Sequence, residues 1–232
     1  MSPAKPDLPN VLAGRYASAS MVELWSPRHK VVLERQLWVA VMKAQRELGI
    51  DIPAEAISDY ERVVDEVDLG SIAARERVTR HDVKARIDEF CALAGHEHIH
   101  KGMTSRDLTE NVEQLQIRLA LELVRDRMIT ALTRLAERAA EYATQPLTGR
   151  SHNVAAQTTT LGKRFANAGQ ELLVALERVE ELIARYPLRG LKGPVGTQQD
   201  QLDLLNGDTA AMDDLERSVA RHLGFDAVLA NV

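Results

Sequence analysis

Apolar residues recur at helical spacing along most of the chain, and this pattern predicts an all-α protein. The clearest early helix begins at Ser26-Pro27, where a capping hydroxyl precedes a proline in the first helical turn. Its apolar positions repeat as far as Leu48, and Gly49 provides a stop. This segment is therefore expected to form a single helix.

Weaker signals divide the rest of the N-terminal half. Thr79 and Asp82 resemble a capping box, and the helix that they begin should run to about Gly95. A short helix is expected around residues 54–67. The segment from Val11 to Met21 has no clear period, so it predicts a loop with short turns.

Two much longer helices are expected further along the chain. One apolar stripe starts near Thr104, and no glycine or proline interrupts it before Pro146, so its helix would be roughly 55–60 Å long. A second long helix should run from about Ala155 to Tyr186. Because such helices usually pair in bundles, we expect an N-terminal helical domain over residues 1–103 and the first part of a bundle domain over residues 104–232.

Three further segments complete the predicted organisation. Residues 187–207 break the helical period with glycines and prolines, and loops of this kind on rigid helices commonly carry function. Residues 210–222 return to helical spacing. The proline-rich residues 1–10 predict a loose N-terminal tail.

The composition supports the helical interpretation and narrows the function. Hydrophobic residues make up 45% of the chain and aromatic residues only 4%, which predicts an aliphatic core. The net charge is -5 and no strongly basic block occurs, so nucleic-acid binding has no electrostatic support. Cys91 is the only cysteine, which excludes an intrachain disulfide and fits a reducing cytoplasm. No apolar run approaches membrane-spanning length.

Polar residues interrupt the amphipathic pattern at loops and helix starts, where anions can bind. Arg15 and Tyr16 can hold a phosphate through the guanidinium and the phenol, or they can form an ordinary surface contact. Arg80, His81 and Asp82 open a predicted helix, whose free N–H groups favour an anion. The alternative for that segment is a plain cap with surface charges.

Two adjacent hydroxyls, those of Thr104 and Ser105, open the longest predicted helix directly after the Gly102 turn. Hydroxyls and N–H groups at a helix start suit a carboxylate ligand. Simple N-capping is the alternative, and it accounts for one hydroxyl but not for both.

His152 stands between Ser151 and Asn153, just before the second long helix predicted from the sequence. The positive end of that helix disfavours an imidazolium, which would make a protonated His152 a readier acid. A hydrogen-bonded structural histidine is the alternative.

A metal site receives weaker support. His96, His98 and His100 alternate, so their side chains could converge in an extended segment. No cysteine or carboxylate set at ligand spacing accompanies them, which disfavours zinc.

Taken together and in this order, the polar motifs resemble those of the adenylosuccinate lyase family, within the fumarase/aspartase superfamily. The resemblance covers the chain from Arg15 to about Asp208. It rests on five segments, which are Arg15-Tyr16, Arg80-His81-Asp82, Thr104-Ser105 with Asp107, Gly149-Arg150-Ser151-His152 and Lys192-Gly193-Pro194-Val195-Gly196-Thr197-Gln198. The Thr-Ser-x-Asp turn and the Gly-rich loop occur across the superfamily, whereas the Arg-Tyr and Arg-His-Asp segments point to the purine enzymes.

The resemblance implies a reaction in which fumarate is eliminated from adenylosuccinate to give AMP, and from the succinylaminoimidazole-carboxamide ribotide of purine synthesis. It implies catalytic roles for His152, as general acid, and His81. It implies substrate-binding roles for Arg15, Tyr16, Arg80, Asp82, Thr104, Ser105, Ser151 and Gln198. No metal or organic cofactor is required, and the implied partners are a small nucleotide substrate and further copies of the chain in a cytoplasmic tetramer whose sites combine several subunits.

One family feature is absent from this sequence. The family carries its general base, a serine, in a loop of the pattern Ser-Ser-x-Met-Pro-x-Lys-x-Asn-Pro, and this pattern does not occur here. Family members are also longer, so we expect a fragment that does not turn over adenylosuccinate by itself. Two alternatives stay open: another lyase of the superfamily, such as argininosuccinate lyase or fumarase, and a non-catalytic helical oligomerisation module.

Overall fold

The computed structural model describes residues 10–232, and helices dominate it, which confirms the all-α prediction. The tail expected over residues 1–10 lies, apart from Asn10, outside the described residues. The elements are α1 (Val11–Tyr16), α2 (Ala19–Leu24), α3 (Pro27–Glu47), α4 (Ala54–Arg62), α5 (Leu69–Thr79), α6 (Asp82–Ala94), α7 (Ser105–Glu141), β1 (Pro146–Ser151), β2 (Val154–Thr160), α8 (Leu161–Arg185), α9 (Gln199–Leu204) and α10 (Thr209–His222). None of these helices is both long and apolar enough to cross a membrane.

Contacts divide the chain into two compact units. The first contains the residues up to Leu119 together with Tyr186–Val232, and the second contains Ala120–Arg185. The long helix α7 contributes its N-terminal part to the first unit and its C-terminal part to the second. The domain boundary expected at residue 104 stays a prediction.

Helix α3 is the centre of the first unit. Ser26 Oγ accepts the N–H of His29 at 3.1 Å and Pro27 occupies the first turn, as the sequence predicts. Leu37 and Trp38 are completely buried. They belong to one aliphatic core that also contains residues of α4, α6, α7 and α10.

A buried ion pair fixes two neighbours of α3. The Arg35 guanidinium pairs with Glu89 on α6, donates to the carbonyl of Val63 at 2.9 Å and to that of Val64 at 3.0 Å, and lies over the Phe90 ring. Because the guanidinium has a carboxylate and two carbonyls as partners, its charge is tolerated in the core. The contacts hold α6, and with it the segment that begins at His81, against α3.

The second unit contains a β-hairpin that the sequence reading did not predict. Strands β1 and β2 pair antiparallel, with a bulge between Thr148 and Arg150. The helix expected from Ala155 is therefore wrong in its first turn and a half, since α8 begins only at Leu161. Successive β-branched threonines at the end of β2 favour the strand, and Thr160 Oγ1 then accepts the N–H of Lys163 at 3.1 Å to start the helix.

Other differences occur at short elements. The loop predicted for residues 11–21 contains two six-residue helices, α1 and α2, whose N-caps are Asn10 and Ser18. The helix expected around residues 54–67 ends at Arg62, and α5 was not predicted at all. Helix α10 confirms the prediction for residues 210–222.

Candidate active site

The buried carboxylate of Asp107 joins the Thr104-Ser105 turn to the Gly-rich loop. Its Oδ2 accepts the Thr104 N–H at 2.9 Å, which closes the first turn of α7. Its Oδ1 accepts the N–H groups of Lys192 at 2.9 Å and Gly193 at 3.0 Å, and also the Arg189 guanidinium at 2.5 Å. Arg189 is itself buried, and its Nε lies 2.5 Å from Glu110 Oε2. Two motifs that are far apart in the sequence therefore bind the same carboxylate. The Asp107 carboxylate and the groups that donate to it are called the Asp107 centre below.

The Asp107 contacts show whether the hydroxyl of Thr104 or Ser105 caps helix α7. The Asp107 side chain, rather than either hydroxyl, caps the start of α7. Within residues 10–232, neither hydroxyl takes part in a hydrogen bond, and both residues are only half-buried. Two hydroxyls at a positive helix end are thus free to bind an anion.

Two further side chains hold the Gly-rich loop. Asn111 receives the Gly190 N–H and donates to the Gly190 carbonyl, each at 2.9 Å. Glu216 on α10 accepts the Leu191 N–H at 2.8 Å and pairs with the buried Lys192 ammonium at 2.7 Å. A Cβ at Gly190 would lie 2.4 Å from Glu216 Oε1, so only glycine fits there. The loop is consequently a rigid part of the first unit.

Gln198 ends this loop, and its backbone lies in the left-handed region at φ 57. Its side-chain Nε2 donates to the Leu191 carbonyl at 3.1 Å, and its backbone N–H donates to the Lys192 carbonyl at 3.1 Å. The amide nitrogen is therefore used within the loop, whereas the amide oxygen has no protein partner among the described residues.

His81 caps α6 in place of the Thr79 cap expected from the sequence. Its Nδ1 accepts the Lys84 N–H at 3.2 Å, so the neutral imidazole carries its proton on Nε2. More than half of the side chain is exposed, and Asp82 Oδ1 lies 3.7 Å from Nδ1. His81 can therefore donate a proton or a hydrogen bond outward from a fixed tautomer.

The two charged residues that flank His81 differ in their side-chain contacts. Asp82 pairs with Arg86 at 2.6 Å, and Arg86 also bonds to the buried Glu34. Arg80, the C-cap of α5, is exposed at φ 53, and its guanidinium has no partner among the described residues. Arg80 is therefore open to an anionic ligand, whereas the Asp82 carboxylate already has a partner.

His100 is a component of this region that the site prediction missed. Its Nδ1 accepts the indole N–H of Trp38 at 3.0 Å, and its backbone is left-handed at φ 65. The pKa of His100 is lowered to about 4, chiefly by burial, with a raising contribution from the charge of Asp107 and a lowering contribution from that of His81. His81 and the Asp107 carboxylate are thus both within electrostatic reach of His100.

The three alternating histidines do not converge on a metal. His96 bonds to Asp59 at 2.8 Å, His98 contacts Lys101 at 3.2 Å, and His100 bonds to Trp38. In the described part of the chain, no group of three or more His, Cys, Asp or Glu side chains is placed to hold a metal ion.

His152 lies in the turn of the β-hairpin in the second unit, not at a helix start. The helix-dipole argument for its acidity is therefore wrong, because β2 separates it from α8. His152 and Asn153 both have left-handed backbones, at φ 50 and φ 61, as a two-residue type I′ turn requires. Arg150 Nη1 donates to the Asn153 carbonyl at 2.9 Å and braces the turn. Ser151 and His152 are exposed on this hairpin.

Arg15 and Tyr16 end α1, in the first unit. The Tyr16 side chain is 77% exposed, and an apolar cavity of about 670 Å³ lies between α1 and α2, lined by Tyr16, Met21 and Trp25 among others. The Arg15 guanidinium has no partner among residues 10–232. Arg15 itself does not line this cavity, but it is the neighbour of Tyr16 in the sequence, so a cation and an open, partly aromatic cavity occur at the same end of α1.

Left-handed backbones mark the candidate residues more clearly than burial does. Of the described residues other than glycine, only six have positive φ, namely Arg80, His100, His152, Asn153, Gln198 and Asn206. Three of them are predicted site residues, and such strained positions concentrate at functional sites. The structure brings the Thr104-Ser105 turn, Gln198 and His81 into the first unit, and it assigns Ser151 and His152 to the second.

Comparison with known proteins identifies relatives over most of the chain. Residues 18–202 match the family model described as "Lyase". The adenylosuccinate lyase of Schistosoma mansoni is 36% identical over 220 residues, which cover 93% of this chain and 46% of that protein. The adenylosuccinate lyase of Saccharomyces cerevisiae is 37% identical over 224 residues, which cover 94% and 46%.

A solved structure supports the fold independently. The crystal structure of a fumarate lyase from Mesorhizobium sp. BNC1 superposes with a TM-score of 0.77 at 24% identity and covers 93% of this chain and 50% of that chain. At this identity the similarity concerns the fold alone. The chain spans about half the length of the proteins that it matches.

Proposed function

The chain belongs to the lyase family of the fumarase/aspartase superfamily, and we propose that it carries the substrate-binding residues and the general acid of an adenylosuccinate lyase. The Asp107 centre is the observation that carries this proposal. It caps α7 without using the Thr104 or Ser105 hydroxyl, and it holds the Gly-rich loop next to them. The similarity to adenylosuccinate lyases of two organisms supports the choice of substrate.

The proposed chemistry needs a site that accepts more negative charge as the reaction proceeds. A base removes a proton next to a carboxylate of the succinyl group, and the electron pair enters that carboxylate as an aci-carboxylate. The C–N bond then breaks, and an acid protonates the departing nitrogen of AMP. Thr104, Ser105 and the N-terminus of α7 supply donors for the developing charge. Arg189 neutralises Asp107, so the buried carboxylate does not repel the substrate.

Three other groups take the remaining roles. His152 is the general acid, on the hairpin turn of the second unit. His81 donates from Nε2 to the substrate, since its Nδ1 is occupied by the Lys84 N–H. Arg15 and Tyr16 bind the nucleotide phosphate, with Arg80 as a further cation. The serine loop that would supply the base is absent from this sequence, so the isolated chain binds ligands without turning over adenylosuccinate.

Ligand binding tests this proposal and separates it from its alternatives. We expect both AMP and fumarate to raise the melting temperature of the chain, because a ligand at about 100 times its Kd stabilises the folded state by about 2.7 kcal/mol. Arg15→Ala should abolish the AMP effect and leave the fumarate effect. Protection by fumarate with no response to AMP would indicate another lyase of the superfamily. No protection by either ligand would indicate a non-catalytic helical module.

A further inference from the structure

The backbone of residues 100–103, which leads into the Thr104-Ser105 turn, has few hydrogen bonds within its own segment. His100 and Gly102 both have left-handed φ values, 65 and 63. Among the described residues, the backbone of residues 100–103 makes only one local backbone hydrogen bond, from the Met103 N–H to the His100 carbonyl at 3.3 Å. The carbonyls of Lys101 and Gly102 point into the protein rather than into a helix or strand. Both residues are half-buried, and carbonyls that are partly withdrawn from water need donors from elsewhere in the fold.

Two buried glutamines supply these donors. Gln201 Nε2 donates to the Gly102 carbonyl at 2.7 Å and approaches the Lys101 carbonyl at 3.3 Å. Gln45 Nε2 on α3 donates to the Lys101 carbonyl at 3.0 Å and lies 3.5 Å from Gln201 Oε1. Both side chains are 1% exposed. A Cβ at Gly102 would lie 3.0 Å from the Gln201 amide, so the glycine permits this close approach.

The side-chain amide of Gln45 lowers the stability of the folded chain relative to an apolar side chain. Its Oε1 is buried and has no hydrogen-bond partner in the described part of the chain. An apolar side chain of similar size would avoid this desolvation. Core stability alone therefore does not account for an amide here, whereas its contact with the Lys101 carbonyl does.

Gln201 also connects the turn to the other half of the candidate site. It lies in the first turn of α9, and its N–H donates to the Gln198 carbonyl at 3.1 Å. A displacement of Gln198 would therefore be transmitted through one side chain to Gly102, two residues before Thr104. The Asp107 centre is a second link between the same two segments.

We propose that Gln45 and Gln201 are positioning residues that hold the carboxylate-binding turn and couple it to Gln198. The proposal deepens the proposed function and rests on it: the ligand concerned is the dicarboxylate part of the substrate. Neither glutamine touches that ligand. Each acts through the carbonyls of Lys101 and Gly102, which set the position of the Thr104 and Ser105 donors.

The test compares Gln201→Met and Gln45→Met with the control Gln199→Met. Gln199 is exposed on the same helix as Gln201, and within the described part of the chain its side-chain amide bonds only to Asp203, at 2.6 Å. The backbone amides are followed by ¹H–¹⁵N NMR during separate titrations with fumarate and with AMP. We expect Gln201→Met to weaken fumarate binding by about tenfold, with a smaller loss for Gln45→Met and AMP affinities within about twofold of wild type. In the wild type, fumarate should shift the Thr104 and Gln198 amides together, and in Gln201→Met the saturating shift of Gln198 should be smaller relative to that of Thr104, since the Asp107 link remains.

Amide hydrogen exchange without ligand provides a second readout. The Thr104 N–H should exchange faster in Gln201→Met and in the isosteric Gln201→Glu than in the Gln199→Met control, beyond any change in global stability. An unchanged fumarate affinity in a folded Gln201→Met chain would overturn the positioning role alone. Equal losses for AMP and fumarate would show a merely structural role and would also overturn it. A wild-type chain that binds no fumarate would overturn the proposed function, and the positioning role with it.

Discussion

The Asp107 carboxylate accepts the backbone N–H of Gly193 at 3.0 Å, across a separation of 86 residues in the sequence. Its other oxygen accepts the N–H of Thr104. One buried side chain thus determines both the start of α7 and the path of the Gly-rich loop. The placement of the candidate carboxylate site depends on this charge.

Asp107→Asn removes the charge while preserving the shape of the side chain. The Arg189 guanidinium would lose its buried carboxylate partner, so we expect a loss of about 3 kcal/mol in the free energy of unfolding. Urea denaturation followed by circular dichroism measures the effect. Asp126→Asn, at an exposed position of the same helix, should change stability by less than about 0.5 kcal/mol. Equal stability of the two variants would contradict the central role of Asp107.

Capping and ligand binding can be separated at His81. His81→Asn retains a good N-cap, because the asparagine oxygen can accept the Lys84 N–H in place of Nδ1. We expect its stability to match that of wild type, whereas His81→Ala should lose about 1 kcal/mol. Both variants lack the Nε2 donor, so both should bind fumarate more weakly. If His81→Asn binds fumarate as the wild type does, His81 is only a cap.

His152 occupies a turn position that restricts its substitutes. At φ 50, asparagine is tolerated and valine is not, since β-branched residues clash in the left-handed region. We expect His152→Val to lower the free energy of unfolding by about 1–2 kcal/mol relative to His152→Asn. Hydrogen exchange of the amides in β1 and β2 locates the effect. Equal protection of the hairpin in both variants would contradict the type I′ turn.

His100 should make the stability of the first unit depend on pH. Burial lowers the pKa of His100 to about 4 in the folded chain, so between pH 6.5 and 4 the unfolded chain binds a proton that the folded chain does not. Stability should therefore fall as the pH drops through this window and level off below it. His100→Asn keeps an acceptor for Trp38 and tolerates the left-handed backbone, but it does not titrate.

The difference between wild type and His100→Asn isolates this contribution from all other groups. We expect the difference in unfolding free energy to be constant above about pH 7 and to change by about 3 kcal/mol against the wild type by pH 4. Urea melts at a series of pH values measure it. A difference that does not vary with pH would show that His100 titrates normally.

The long helices could be predicted because their signals are local. Ser26-Pro27 and Gly49 mark both ends of α3, and the stripe from Thr104 marks α7. The six-residue helices α1 and α2 are too short to show a period, although their caps at Asn10 and Ser18 are readable. Local signals thus identify elements that are long or capped.

The hairpin was not predicted because Ala155 and Ala156 are strong helix formers and no glycine or proline separates residues 155–160 from the helix that follows. The threonines of β2 and the left-handed preference of Asn153 were the contrary signals. The polar residues of the candidate site could be selected as types, but their partners could not be read from the sequence. Arg189 contacts Asp107 across 82 residues, Asn111 contacts Gly190 across 79, and Glu216 contacts Lys192 across 24. Only the Asp107 capping spacing was local.

We propose that this chain binds the substrate of an adenylosuccinate lyase through the Thr104-Ser105 turn, the Gly-rich loop and His81. A titration with adenylosuccinate, followed by ¹H–¹⁵N NMR, tests it most directly. We expect saturable shifts of the Thr104, Ser105, His81 and Gln198 amides, with no release of fumarate. The absence of shifts at these four positions at saturating adenylosuccinate would contradict it.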